Sequence, residues 1–95
     1  MNISELMAQG ATVIDVRTPG EFQGGNVGGS INIPLNEIPQ RVQEIKEIKG
    51  TILLCCASGN RSGQAHTYLR HQGVDCENAG SWLDVNRLQA LAYTS

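Results

Sequence analysis

The sequence predicts an α/β fold, with a small, mainly parallel sheet of four to five strands and helices on both faces. Short β-branched or apolar runs alternate along the chain with segments of helical periodicity, the pattern of a parallel sheet covered by helices. Glycines and prolines separate these segments, and no repeat or low-complexity tract interrupts them. The length of 95 residues suits one domain spanning residues 1–95.

The first half of the chain is predicted to alternate between helices and strands. In chain order these are a helix over 2–9, a strand over 11–16, a helix over 18–22 and a strand over 30–34. Asn2 or Ser4 caps the first helix, and Thr18 caps the second with Pro19 in its first turn. A glycine-rich loop, QGGNVGG (23–29), leads into the second strand.

The second half continues the alternation. Its predicted elements are a helix over 35–49, a strand over 51–55, a helix over 62–73, a strand over 74–78 and a helix over 81–95. The first of these helices has the clearest pattern, with Pro39 in its first turn and Gly50 at its end. One face of it is apolar at spacings of three and four, through Ile38, Val42, Ile45 and Ile48.

Composition and charge narrow the classes of partner. The formal net charge is −2 and no basic block is present, so nucleic acid and anionic membranes are poor partners. No run approaches the roughly 18 apolar residues of a membrane helix. The start, MNISELMAQG, lacks the basic and apolar regions of a signal peptide. We expect a cytoplasmic location, a monomer, and local hydrogen-bond donors for any anionic substrate.

The three cysteines, Cys55, Cys56 and Cys76, do not form a disulfide framework. Their number is odd and two of them are adjacent, a geometry that strains a bridge. No C-x-x-C pair or Cys/His cluster has the spacing of a metal site. The sequence predicts three reduced, partly buried thiols, no metal and no cofactor.

The cysteine loop, CASGNR (residues 56–61), follows the most apolar strand and precedes a helix. In a parallel sheet such loops lie at the carboxyl ends of the strands, where active sites form. A glycine-containing loop can turn its backbone N–H groups inward, and the following helix adds the positive end of its dipole. Because such surroundings lower a cysteine pKa from about 8.5 to roughly 3.5–7.5, the loop predicts a thiolate nucleophile for an anionic substrate.

The spacing to Arg61 offers two candidate nucleophiles. Cys56 and Arg61 form C-x4-R, whereas Cys55 and Arg61 form C-x5-R, and these spacings belong to different chemistries. A cysteine at the end of an apolar strand is often only a small buried hydrophobe, and we keep that interpretation for Cys55 and Cys76. Cys56, followed by Gly59 and Arg61 at a strand-to-helix turn, is the functional candidate.

Four segments of the chain resemble the rhodanese (sulfurtransferase) homology domain, in the family's order and approximate spacing. They are VIDVRTPGEF (13–22), GNVGGSINIP (25–34), CASGNRS (56–62) and NAGSW (78–82). The first and third together are highly specific, and the resemblance runs from about Ser4 to Trp82. The family's usual GHIPGA reads GNVGGS here, so Asn26 stands where histidine is common, and a strand that often precedes the first helix is missing.

The resemblance implies a small α/β domain that is a sulfurtransferase with Cys56 as its catalytic residue. The family's six-residue active loop starts at the cysteine and matches Cys56 through Arg61. The implied reaction moves a sulfane sulfur from a small anionic donor such as thiosulfate to cyanide or a thiol, through a Cys56 persulfide. A protein thiol or persulfide is a further implied partner. The residues expected to bind the substrate or the persulfide are Ala57, Ser58, Gly59, Asn60, Arg61 and Ser62.

Residues around the cysteine loop are expected to support it. Asp15 and Arg17 end a strand at the same rim, and we interpret them first as an ion pair that holds the loop. Arg61 either binds the anionic end of the donor or braces the loop from outside. Ser62 either donates a hydroxyl hydrogen bond or caps the helix, and Trp82 is expected to pack against the rim.

Two other functions remain open from the residues. A phosphatase or arsenate reductase would use the C-x5-R spacing with Cys55 as its nucleophile. A non-catalytic rhodanese-like interaction module is a different class, and such modules commonly lack the cysteine, which this chain keeps.

Overall fold

The computed structural model of the chain describes residues 2–94. Within these residues, four parallel strands form one sheet in the order β2-β1-β3-β4. The strands are β1 (Thr12–Asp15), β2 (Ile31–Asn32), β3 (Ile52–Cys56) and β4 (Cys76–Ser81). The helices are α1 (Ile3–Ala8), α2 (Pro19–Gln23), a 3-10 helix (Leu35–Arg41), α3 (Val42–Lys46), α4 (Asn60–His71) and α5 (Trp82–Thr94). No helix of residues 2–94 is both long and apolar enough to cross a membrane.

Helices cover both faces of the sheet, which confirms the predicted α/β class. One face packs against the 3-10 helix, α3 and α4, through side chains that include Ile14, Leu54, Ile38, Ile45 and Leu69. The other face packs against α1 and α5, through side chains that include Val13, Leu53, Leu6, Trp82 and Val85. Because side chains alternate along a strand, Cys56 lies in the first of these clusters and Cys55 in the second.

Capping interactions fix the first two helices as the sequence predicts. Asn2, rather than Ser4, caps α1, and its side chain accepts a backbone N–H of the first turn at 2.8 Å. Thr18 caps α2, with Pro19 at the start of the helix. The Glu21 carboxylate accepts the Thr18 backbone N–H at 3.1 Å in return. Such reciprocal pairs satisfy backbone donors that a helix start leaves unpaired.

The prediction of one α-helix over residues 35–49 is wrong. Its first part is a 3-10 helix, and the α-helix α3 is only five residues long. Pro39 is the physical reason, because a proline inside an α-helix lacks the backbone N–H and clashes with the carbonyl four residues earlier. The apolar face is nevertheless predicted correctly, since four residues lie in the core or against it: Ile38, Val42, Ile45 and Ile48.

The elements that flank the cysteine loop also differ from the prediction. β3 begins and ends one residue later than predicted and so includes Cys56, and α4 begins at Asn60, two residues earlier than predicted. Ser62 therefore lies inside the first turn of α4, and the alternative that it caps the helix is wrong. The strand β2 is two residues long instead of five. The helix predicted over 81–95 corresponds to α5, and residue 95 of the prediction lies outside the described part of the chain.

The strand β4 carries a one-residue bulge. It begins two residues later and ends three residues later than predicted. Leu54 pairs with Asn78, whereas the next residue of β3, Cys55, pairs with Gly80. Ala79 is thus the extra residue that a β-bulge adds to one strand of a pair. The bulge lets β4 continue to the same end of the sheet as the cysteine loop.

Candidate active site

Cys56 ends β3 at the carboxyl edge of the sheet, where the cysteine loop turns into α4. The residue is only 1% exposed, while Ala57 and Ser58 next to it are exposed. The turn is short because only residues 57–59 separate the strand from the helix. The thiol is therefore buried directly behind the exposed residues Ala57 and Ser58, which form the rim of the site.

Three hydrogen bonds reach the sulfur of Cys56. Its Sγ accepts from the Gly59 backbone N–H at 3.0 Å, from the Ser62 N–H at 3.5 Å and from the Ser62 hydroxyl at 3.4 Å. Burial by itself raises the pKa of Cys56. The Ser62 hydroxyl and the backbone N–H groups of Ser62, Ser58 and Gly59 outweigh burial and lower that pKa to about 7. These hydrogen bonds therefore favour the thiolate form of Cys56 near neutral pH.

The other two cysteines lack this environment. Cys55 faces the α1 and α5 side of the sheet, and burial, followed by the nearby Asp15 carboxylate, raises its pKa to about 12. Burial raises the pKa of Cys76 to about 11. All three thiols are free, but Cys56 is the one whose surroundings favour the thiolate.

Gly59 is required by the geometry of the turn. Its φ of +99° lies in the left-handed region that only glycine adopts without strain. A Cβ atom at this position would lie 3.2 Å from the Cα atom of Gly80, in the backbone of β4. The close approach of these two glycines brings the Gly59 N–H to the Cys56 sulfur and sets the cysteine loop against the end of β4.

Asn78 joins β4 to the cysteine loop, and the sequence analysis did not identify it. Its Oδ1 accepts from the Ser62 hydroxyl at 2.7 Å and from the Gly80 N–H at 3.0 Å. Its Nδ2 donates to the Gly59 carbonyl oxygen at 3.1 Å. Asn78 thereby fixes both residues that donate hydrogen bonds to Cys56. No local pattern could have found it, because the contact depends on the pairing of β4 with β3.

Arg61 is held by Glu21, a second residue that the sequence analysis did not assign to the site. The two terminal nitrogens of Arg61 donate to the two oxygens of Glu21 at 2.7 and 2.9 Å. This bond, together with those from Thr18, lowers the pKa of Glu21 to about 2. Of the two predicted roles for Arg61, the geometry corresponds to bracing the loop from outside. The T-x-x-E spacing of Thr18 and Glu21 could have signalled the capping role but not the contact with Arg61.

Asp15 and Arg17 form an ion pair that is buried beneath the rim, with 0% and 4% of each residue exposed. Arg17 Nη2 lies 2.7 Å from Asp15 Oδ2, and the guanidinium carbon lies 4.5 Å from the centre of the Trp82 ring. Arg17 also donates to the carbonyl oxygens of Glu21 and Gly25. Its hydrogen bonds to described residues thus fix α2 and the glycine-rich loop, and they reach the cysteine loop only through Glu21.

The arrangement as a whole suits the sulfur of Cys56 as a nucleophile. A thiolate with a pKa of about 7 lies against two backbone N–H groups and a hydroxyl at the start of a 12-residue helix. Donors fixed in this way stabilise negative charge without reorganising during a reaction. Such a site can form a covalent bond to an electrophilic atom and hold the resulting anion.

Comparisons with known proteins identify relatives of the chain. A profile of the family described as Rhodanese-like domain matches residues 2–85. The chain is 39% identical over 74 residues to the thiosulfate sulfurtransferase PspE of Escherichia coli (strain K12), covering 76% of this chain and 71% of that protein. It is 46% identical over 63 residues to the uncharacterized protein YqhL of Bacillus subtilis (strain 168), covering 66% of this chain and 49% of the relative. The chain thus spans about half the length of one relative and most of the other.

A solved structure is similar over most of both chains. It is described as a rhodanese with anions from E. coli and matches with a TM-score of 0.70 at 38% sequence identity. The match covers 78% of this chain and 89% of that chain. The similarity therefore extends to the fold of most of the chain.

Proposed function

The chain belongs to the rhodanese-like domain family, and we propose that it is a sulfurtransferase that carries a sulfane sulfur on Cys56 as a persulfide. The observation that carries the proposal is the environment of Cys56, whose sulfur accepts three hydrogen bonds and whose pKa is about 7. Relatives named thiosulfate sulfurtransferase support the reaction class. A small anionic sulfur compound such as thiosulfate is the proposed donor, and cyanide or a thiol is the proposed acceptor.

In the first half of the reaction, the Cys56 thiolate attacks the outer sulfur of thiosulfate. A new S–S bond forms, and the bond between the two sulfurs of thiosulfate breaks with its electron pair leaving on sulfite. The products are a Cys56 persulfide anion and sulfite dianion, so the charge of −3 is conserved. Sulfite leaves without a proton, which is consistent with the absence of an acidic side chain within the cysteine loop.

In the second half, a nucleophile removes the outer sulfur of the persulfide. Cyanide attacks that sulfur, the S–S bond breaks, and the electron pair returns to Cys56 as a thiolate while thiocyanate leaves. A thiolate acceptor reacts in the same way and leaves as a persulfide. Both half-reactions pass through one covalent intermediate, so the enzyme should follow ping-pong kinetics.

The residues of the cysteine loop have separate proposed roles. Gly59 and Ser62 stabilise the thiolate before the reaction, as their hydrogen bonds to Sγ indicate. The outer sulfur of a persulfide extends about 2 Å beyond Sγ, toward the open rim. We expect the backbone N–H groups of Ala57, Asn60 and Arg61 to receive it there.

The alternative of a phosphatase or arsenate reductase that uses Cys55 is less well supported. Cys55 is fully buried on the opposite face of the sheet from Cys56. Its pKa of about 12 keeps it protonated near neutral pH. The alternative of a non-catalytic interaction module is also less well supported, because a module that only binds a partner needs no stabilised thiolate.

Intact-mass spectrometry of the reduced protein tests the proposal. Thiosulfate should add one sulfur atom, about 32 Da, and cyanide should remove it, because the persulfide is a covalent intermediate. The Cys56→Ser variant should show no adduct. The matched control is Cys55→Ala, which should load and unload as the wild type does, because the Cys55 side chain faces away from the site.

Three outcomes would contradict the proposal. The first is that neither thiosulfate nor a persulfide donor produces a cyanide-labile adduct on folded protein. The second is an adduct that survives in Cys56→Ser but disappears in Cys55→Ala, which would favour the C-x5-R chemistry. The third is turnover of p-nitrophenyl phosphate at a higher rate than any sulfur donor.

A further inference from the structure

The cationic side chain of the cysteine loop is already paired. Arg61, the last residue of the cysteine loop, directs both terminal nitrogens of its guanidinium to the carboxylate of Glu21. Both side chains remain partly accessible, at 33% and 38% exposure. An anionic donor that reaches Cys56 therefore meets a neutral ion pair at the rim instead of a free cation.

The Glu21 carboxylate is fixed in this position from two sides. Its Oε1 accepts from the Thr18 backbone N–H at 3.1 Å and from the Thr18 hydroxyl at 3.0 Å, as well as from Arg61. Its Oε2 accepts from Arg61 alone among the described residues. Because α2 holds the carboxylate through its own cap, Glu21 does not depend on Arg61 for its placement.

The second arginine at this edge is neutralised as well. Arg17 is paired with Asp15 below the rim and is almost fully buried. The remaining stabilisation of an anion comes from the backbone N–H groups, the Ser62 hydroxyl and the dipole of α4. These groups act over short distances, so they stabilise the reacting sulfur. They add little attraction for a second charge at the far end of the sulfur donor.

We infer that Glu21 sets the charge selectivity of the sulfur donor, by neutralising Arg61 so that monoanionic donors are favoured over dianionic ones. The inference rests on the proposed sulfurtransferase function. Donors of the favoured class carry one negative charge, as thiosulfonates and alkyl persulfides do. Thiosulfate, with two charges, remains a donor but should load Cys56 more slowly than these monoanions do. Glu21 acts through Arg61 and is therefore a positioning residue rather than a catalytic one.

Two donors that share one chemistry isolate the effect of charge. Thiosulfate is a dianion, and methanethiosulfonate is a monoanion in which a methyl group replaces one charged oxygen. In both, the Cys56 thiolate attacks the outer sulfur and forms the persulfide. The S–S bond of the donor breaks with its electron pair leaving on sulfite or on methanesulfinate, respectively. The loaded protein is the same, so differences in the loading rate report on recognition of the donor.

The experiment compares loading rates of the wild type and Glu21→Gln with both donors, followed by intact-mass spectrometry. Glutamine keeps the cap of α2, because a capping box accepts either Glu or Gln. The matched control is Glu44→Gln, since Glu44 on α3 also forms a two-point pair, with Nε and Nη2 of Arg41 at the end of the 3-10 helix, at 2.9 and 2.8 Å. Both variants change the net charge by the same amount, but only one does so at the rim of the site.

Releasing the charge of Arg61 should accelerate loading in proportion to the charge of the donor. We expect Glu21→Gln to load thiosulfate about tenfold faster and methanethiosulfonate about threefold faster, because a Coulomb energy doubles when the charge doubles. The ratio of the two rates should thus rise about threefold at low salt and fall back toward the wild-type ratio at high salt. Glu44→Gln should leave the ratio unchanged.

A measurement on the wild type supplies a test that does not depend on any variant. If the rim carries no free positive charge, added salt should raise the thiosulfate rate relative to the methanethiosulfonate rate, because screening weakens the repulsion between two anions. A ratio that falls with salt in the wild type would overturn the inference. So would a Glu21→Gln ratio equal to that of the wild type and of Glu44→Gln.

Failure of this inference is distinguishable from failure of the proposed function. If neither donor loads Cys56 of the wild type, the sulfurtransferase proposal itself is wrong. If both donors load the wild type and their ratio does not respond to Glu21→Gln, the function stands and the role assigned to Glu21 is wrong.

Discussion

Ser62 on α4 and Asn78 on β4 are joined by a hydrogen bond of 2.7 Å from the hydroxyl to Oδ1, while the same hydroxyl lies 3.4 Å from the sulfur of Cys56. A hydroxyl has one proton to donate. The amide oxygen of Asn78 and the thiolate of Cys56 therefore compete for it. The pKa of Cys56 depends in this way on a residue that does not contact its sulfur.

The variant Asn78→Asp should raise the pKa of Cys56. A carboxylate is a stronger acceptor for the Ser62 proton, and it places a second negative charge close to the thiolate, which disfavours the charged form. We expect the midpoint of iodoacetamide alkylation to move up from about 7 by about one pH unit. The control is Asn86→Asp, the same substitution at an exposed position of α5, which should leave the midpoint in place. A midpoint in Asn78→Asp at or below that of the wild type would contradict the competition.

The reactivity of the wild type should depend on pH through Cys56 alone. The pKa of Cys56 is lowered to about 7, so its thiolate fraction, and with it the alkylation rate, rises as the pH increases through 7 and levels off above about 8. Cys55 and Cys76, with pKa values raised to about 12 and 11, stay protonated over this range. The alkylation rate between pH 5 and 9 measures the midpoint, and peptide mapping identifies the modified cysteine. A midpoint near the free-thiol value of about 8.5 would remove the basis of the proposed mechanism.

The variant Gly59→Ala should lose both stability and sulfur transfer. An alanine at a left-handed φ costs about 1–2 kcal/mol, and its Cβ would meet the backbone of Gly80 at 3.2 Å. The displaced loop would withdraw the Gly59 N–H from Sγ and raise the pKa of Cys56. Gly50→Ala is the matched control, since its φ is +86° but nothing lies within 4 Å of its Cβ position.

Urea unfolding and thiosulfate loading together distinguish the two glycine variants. Both should show the cost of backbone strain in the free energy of unfolding. Only Gly59→Ala should also load sulfur at least tenfold more slowly. Equal loading rates in the two variants would show that the position of the Gly59 N–H does not matter for the reaction.

The variant Arg17→Met should destabilise the protein strongly. It leaves the carboxylate of Asp15 buried without its partner, and breaking a buried pair in this way costs about 3–5 kcal/mol. The matched control is Arg41→Met, which removes exposed pairs to Glu37 and Glu44 and should cost about 1 kcal/mol or less. Urea unfolding followed by circular dichroism measures both values. A similar loss in the two variants would show that the Asp15 pair contributes no more than a surface pair.

The alternation of apolar strands with amphipathic helices was sufficient to predict the α/β class, because burial on both faces of a parallel sheet leaves that pattern in the sequence. The N-terminal caps were also predictable from the sequence, since Asn2 and Thr18 accept hydrogen bonds from backbone groups only three residues away. The apolar spacing over 35–49 predicts one long α-helix, but Pro39 interrupts it. A proline at the fifth position interrupts an α-helix whatever the side chains around it favour.

The candidate site was predictable where it is local and not where it depends on tertiary contacts. Cys56 and Gly59 stand in one loop, and their spacing is visible in the sequence. Asn78 and Glu21 are 16 and 40 residues from their partners Ser62 and Arg61. Only the pairing of strands and the packing of α2 bring these side chains together, and neither can be derived from residue spacing.

The bulge at Ala79 limits how this protein could be re-engineered. It aligns Gly80 with the cysteine loop so closely that a Cβ atom at Gly59 would lie 3.2 Å from the Cα atom of Gly80. A side chain introduced at Gly59 would have to be accommodated by the backbone of β4, which lies against it. A transplanted copy of the loop would likewise need its own strand, because the pairing of β4 with β3 brings Asn78 to Ser62. The conformation of the cysteine loop and the register of β4 therefore depend on each other, and a designer who changes one must also adjust the other.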